Sequence, residues 1–113
     1  MHELGITRGI VEIAETHARR QGCAKVLSVK VAIGDLAGVM AEAVAFCFPS
    51  CARGTLLDGA RLEIERIDGK GRCAACGTGF PLDIYTLACP ACAALGPEVL
   101  QGRELRVIEL EVE

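Results

Sequence analysis

Arg72–Gly96 reads RCAACGTGFPLDIYTLACPACAALG. It holds Cys73-Ala-Ala-Cys76, twelve residues, then Cys89-Pro-Ala-Cys92. Two Cys-x-x-Cys hooks, one followed by Gly77 and one containing Pro90, bring four thiolates to one tetrahedral ion. Four soft sulfur ligands in a closed tetrahedron suit zinc. Iron in a rubredoxin-like cage needs the same four sulfurs, and spacing does not separate the two. A closed four-cysteine site is structural as a rule: a small module folds around metal. Phe80, Leu82, Ile84, Tyr85 and Leu87 are expected to cover the thiolates as a miniature core.

Outward from this module the pattern changes. Leu4, Thr7, Val11, Ala14 and Ala18 recur at three and four, with Ile6, Ile10 and Ile13 widening the arc, so residues 4–20 read as a helix that stops at Gly22. Val26–Ile33 reads as a strand, with Leu27, Val29, Val31 and Ile33 on one face and Ser28 and Lys30 on the other. Gly34 and Gly38 flank a turn. A second helix runs from about Met40 toward Arg53, and Pro49 is expected to kink or shorten it. Arg61–Ile67 reads as a second strand, Asp68-Gly69-Lys70-Gly71 as a hinge, and Glu104–Val112 as a third strand. Its apolar phase shift between Val107 and Ile108 suggests a bulge. The expected fold is α+β: a small three-stranded sheet covered by two helices, with an inserted four-cysteine zinc-knuckle module. The domains would be 1–69 with 98–113, and 70–97.

Composition narrows the function. The 113 residues suit one compact unit with a small appended module. Apolar residues make up 51%, yet the aromatics are three Phe and one Tyr, so the core is aliphatic. The net charge is -3, and no Lys or Arg occurs from Cys73 to Gly102. A phosphate-binding surface needs cations, so nucleic acid is a poor partner. Seven cysteines without a secretory signal read as reduced thiols in the cytoplasm. No apolar run approaches the roughly 20 residues that span a bilayer.

The start of the chain, Met1-His2-Glu3, is a second candidate. The α-amine, the His2 backbone nitrogen and the His2 imidazole lie within chelating reach, and the Glu3 nitrogen can complete a plane of four. Nickel(II) and copper(II) favour such a tetragonal nitrogen site. On residues alone one histidine is weak evidence, and a terminus whose His2 does nothing is the plainer reading. Cys47 and Cys51, four apart on the second helix, could share a metal or simply pack. Cys23 has no partner in sequence, and His17 falls beside Ile6, Ile10 and Ile13. No phosphate loop, zinc-protease motif or nucleophile elbow occurs, so no enzyme is expected.

Taken together, Met1-His2-Glu3-Leu4, Ile33-Gly34 with Asp35, Arg53-Gly54-Thr55, Leu62-Glu63-Ile64, the two hooks with Pro90, and Gln101-Gly102 with Glu104-Leu105 resemble the HypA/HybF hydrogenase maturation factors. The resemblance runs from end to end. It implies a cytoplasmic nickel metallochaperone with a structural zinc, serving the large subunit of [NiFe]-hydrogenase. It implies two partners, a HypB-type GTPase and the hydrogenase large-subunit precursor, and it admits a homodimer. It assigns nickel to Met1, His2 and Glu3, and zinc to Cys73, Cys76, Cys89 and Cys92. Three positions depart from the family pattern. Met40 stands where a carboxylate is common, so carboxylate support falls to Glu3, Asp35 or Glu42. Ala93 replaces a glycine after the last cysteine, and Pro49 sits in a helix. The alternatives are a rubredoxin-like electron carrier and a zinc-stabilised protein–protein adaptor.

Overall fold

A computed structural model describes residues 2–113, with side chains from Glu3 onward. The chain runs α1 (His2–Arg20), β1 (Val26–Gly34), α2 (Ala41–Ala52), β2 (Arg61–Ile67), β3 (Lys70–Arg72), β4 (Gly79–Pro81), β5 (Glu98–Gln101) and β6 (Leu105–Val112). The class is α+β, as the periodicities predict. Two compact units emerge: one of residues 1–32, 39–65 and 106–113, the other of 33–38 and 66–105.

In the first unit, α1 buries Thr7, Ile10, Val11, Ala14 and Ala18 on one stripe. Ile13, expected to widen that stripe, is 60% exposed. The helix stops where Gly22 turns to φ 73 and the Cys23 amide donates back to the Ala18 carbonyl at 3.0 Å, a left-handed glycine stop. The main sheet has the order β2-β1-β6. At the start of β1 the Val26 amide donates to Leu56, which precedes β2, and just past the end of β1 the Asp35 amide donates to Ile67, the last residue of β2, so β1 and β2 advance together. α2 is thus the crossover of a parallel β-α-β unit. Strand β6 runs the other way, with bonds from Gly34 to Glu104 and from Ala24 to Glu113.

The clean alternation expected of β1 is overridden. Ser28, assigned to the wet face, is 5% exposed, and Val26, Val29, Val31, Ala32 and Ile33 are buried as well. β1 is the middle strand of its sheet, and residues of both its faces are buried, the near-continuous apolar pattern of a strand in a sheet covered on both sides rather than one wetted on one face. Pro49 does not shorten α2, which continues to Ala52. Pro49 and Ala45 lie on the exposed side of the helix. The Ala45 carbonyl, deprived of its usual donor, can be satisfied by water there.

The second unit holds an antiparallel sheet of order β4-β3-β5. The expected hinge at Asp68–Gly71 is in fact the entry into β3, whose Gly71 pairs with Phe80 on one side and Val99 on the other. Gly34 and Gly102 let two backbones touch. A Cβ on Gly34 would come within 1.9 Å of the Gly102 carbonyl oxygen, and Gly102 itself sits at φ 119. The Leu36 amide closes the crossing with a 2.7 Å bond to that same carbonyl.

Candidate metal centre

The two hooks share one backbone plan. In the first, the Gly77 amide donates to Cys73 O at 2.8 Å and the Cys73 amide to Thr78 O at 2.9 Å. In the second, the Ala93 amide donates to Cys89 O and the Cys89 amide to Ala94 O, each at 2.9 Å. Each turn ends on a residue with positive φ: Gly77 at 77° and Ala93 at 64°. The chain thereby curls so that both sulfurs of each hook point the same way.

The four sulfurs converge. All lie within 4.8 Å of one another. Cys73 Sγ is 3.5 Å from Cys92 Sγ, and Cys76 Sγ is 3.7 Å from Cys89 Sγ. A zinc–sulfur bond of about 2.3 Å gives tetrahedral edges of about 3.8 Å, so the donor set fits a four-thiolate ion with little adjustment. Cys73 and Cys89 are buried with Phe80 and Leu82, and Leu36, Ala94 and Val99 pack against them. The miniature core is therefore smaller than expected. Ile84, Tyr85 and Leu87 point to solvent at 64%, 82% and 72% exposure. The cause is a turn at Asp83, whose carboxylate accepts from the Tyr85 amide at 2.8 Å and the Thr86 hydroxyl at 2.9 Å. These donors hold the Asp83 carboxyl below its ordinary range.

The thiols are electrostatically unequal without metal. The Thr78 hydroxyl, 3.1 Å from Cys76 Sγ, and then the Thr78 backbone draw the Cys76 thiol down to about 6. At Cys92 the Ala94 amide lowers the value, but the Cys73 and Cys76 thiols beside it and desolvation outweigh it, and Cys92 is pushed up to about 12. Cys76 therefore gives up its proton before Cys92 does. A divalent ion removes that penalty by neutralising the crowded negative charge.

Of the N-terminal candidates, Met1 and the His2 side chain lie outside the described residues. Glu3 is described, and its carboxylate accepts from the Met40 amide at 3.3 Å. Met40 is the N-cap of α2 and has no side-chain cap of its own, so Glu3 supplies one from another helix. Sequence spacing gave no hint of this, because the partners lie on different helices. Glu42 sits in the first turn of α2, and Asp35 belongs to the second unit. Cys23, Cys47 and Cys51 are half-buried and stand apart from the four-thiol group. His17 is exposed and lines a groove with Ile13 and Cys23 beside β6. No helix among the described residues is long and apolar enough to cross a membrane.

Residues 1–112 match the family model described as HypA, hydrogenase/urease nickel incorporation, metallochaperone. The chain belongs to the HypA family. It is 54% identical to "Hydrogenase maturation factor HypA" of Geobacter metallireducens, over the full length of both chains. It is 42% identical to the protein of that name from Chlorobaculum tepidum, again over both full lengths. Its fold is that of the nickel metallochaperone HypA from Helicobacter pylori in solution, with a TM-score of 0.69, 22% identity, and 97% and 96% of the two chains covered. Membership makes the chain a hydrogenase maturation factor of the nickel-incorporation type, and the four-cysteine cluster is its metal site.

Proposed function

We propose that this protein carries nickel(II) at its N-terminus and delivers it to the large-subunit precursor of a [NiFe]-hydrogenase, with zinc held permanently by Cys73, Cys76, Cys89 and Cys92. The observation that carries the reading is the match of residues 1–112 to a nickel-incorporation family, combined with a four-thiol cage that leaves no open position. A closed cage suits a resident ion, whereas cargo needs an exchangeable site. The Met1 amine, the His2 nitrogens and the Glu3 backbone nitrogen supply one, and the Glu3 carboxylate braces it against α2. The protein then moves a metal ion rather than transforming a substrate. The apolar rim of Ile84, Tyr85, Leu87 and Leu95, the last 78% exposed, suits contact with the precursor, and α1 suits contact with a HypB-type GTPase. The working compartment is the cytoplasm.

Nickel titration of zinc-loaded native protein, His2→Ala protein and protein tagged ahead of Met1 tests the reading. Native protein should take up one diamagnetic nickel, and the other two should take up none. Binding releases protons, so it should weaken as pH falls through the imidazole range near about 6.5. Equal affinity in all three proteins refutes the N-terminal site. Red colour would mark iron in the four-sulfur cage, and colourless protein with one zinc supports the reading.

A further inference from the structure

Helix α2 carries two thiols that neither the four-sulfur centre nor the proposed nickel site uses. Cys47 and Cys51 stand one turn apart, which puts their Cβ atoms about 5–6 Å from each other on one face. Both are half-buried. The half-buried stripe of Ala43, Cys47 and Cys51 runs beside the buried Val44, Phe48 and Ala52. Each thiol is therefore covered on one side and open on the other.

That spacing excludes one chemistry and suits another. A disulfide needs Cβ atoms about 3.5–4.5 Å apart, so a regular helix holds these sulfurs too wide for a direct bond. Two metal–sulfur bonds of about 2.3 Å end to end span about 4.6 Å, which two side chains turned toward each other can reach. Pro49 lies between them in the helix. It removes one rung of the hydrogen-bond ladder and so loosens the turn that must close on an ion. No third His, Cys, Asp or Glu donor joins the pair among the described residues. Zinc, which takes four ligands, is left short there. Soft thiolates select Cu(I), and Cu(I) is satisfied by two.

We propose that Cys47 and Cys51 form a second metal site, a two-thiolate clamp for a soft monovalent ion of the Cu(I) class. Loading replaces two S–H bonds by two S–Cu bonds and releases two protons, with no change in oxidation state. The clamp is independent of the nickel reading.

The test titrates zinc-loaded protein, free of oxygen, with Cu(I) held by a chromophoric chelator. The native chain should strip one equivalent from the chelator and keep its zinc. Cys47→Ser and Cys51→Ser proteins should each lose that uptake at least tenfold, while Cys23→Ser matches native. Helical circular dichroism and zinc content establish that the variants are folded. X-ray absorption of the copper-loaded native protein should show two sulfur neighbours. Release of zinc with the first equivalent, native-like uptake by either serine variant, failure of the native chain to compete, or three or more sulfurs around copper each overturns the proposal.

Discussion

The first and second hooks reach the same shape from different residues. Both close with the same pair of backbone hydrogen bonds, and both bury the leading cysteine and expose the trailing one. The first ends on Gly77 and Thr78, the second on Ala93 and Ala94. Glycine enters the left-handed region freely, whereas alanine at φ 64 pays a steric cost of roughly 1–2 kcal/mol. Thr78 places its hydroxyl oxygen within hydrogen-bond reach of its hook's exposed sulfur, at 3.1 Å, and Ala94 has no such group. Four converging sulfurs dictate the turn, and the second hook meets that demand under strain and with backbone amides alone, without a side-chain hydroxyl. The difference separates what metal requires of the backbone from what each sequence contributes.

The largest expected effect tests whether the hooks are equivalent at all. Cys89→Ser removes a buried ligand. Structural zinc contributes on the order of 10 kcal/mol to small modules, so the metal should be lost and residues 66–105 should exchange their amide hydrogens freely. The amides of α1 and α2 should stay protected. Cys73→Ser should behave alike. Metal analysis with hydrogen exchange reads both, and retention of the metal by either variant would break the symmetry between the hooks.

A smaller effect follows from exchanging the turn residues. Ala93→Gly relieves the left-handed strain but loosens the unfolded chain, for which about 0.4–1 kcal/mol must be subtracted. The net should be a gain of about 0.5–1 kcal/mol. Gly77→Ala makes the first hook like the second and should cost a similar amount. Thermal melting of the two variants at fixed metal content checks the opposite signs. Two shifts of the same sign would mean that φ is not what distinguishes the hooks.

The same contrast explains what could be read from the chain. The hooks were legible because metal geometry imposes a fixed local spacing. The buried stripe of α1 was legible because Thr7, Val11, Ala14 and Ala18 repeat with the helix period. Strands β3 and β4 were not, since three residues apiece with Gly71, or with Gly79 and Pro81, carry no apolar alternation, and neither was β5, whose two apolar residues Val99 and Leu100 are adjacent. The outward turn of Ile84, Tyr85 and Leu87 depends on Asp83 bonding locally, which apolar counting ignores. Gly34 read as a turn residue, yet it serves a backbone crossing with Gly102. The cap that Glu3 lends to Met40 is hidden for the same reason: contacts between distant segments leave no periodic trace.

The smallest effect concerns Thr78, the polar asset of the first hook. Metal binding requires thiolates, so acid releases the ion as protons compete for sulfur. Cys76 is held down at about 6 by the Thr78 hydroxyl and backbone, so its thiolate survives to lower pH than an ordinary cysteine. Thr78→Val keeps the shape and the backbone bond but deletes the hydroxyl. The Cys76 value should rise, protons should compete sooner on acidification, and the pH of half-release should move upward. Ala94→Thr in the second hook puts a hydroxyl at the position matching Thr78 and should move it downward, by stabilising the thiolate of Cys92. A chromogenic zinc indicator followed through an acid titration reads both shifts. If Thr78→Val leaves the release curve unmoved while Ala94→Thr lowers it, the limiting proton belongs to the second hook, and Cys92 rather than Cys76 sets the acid stability of the centre.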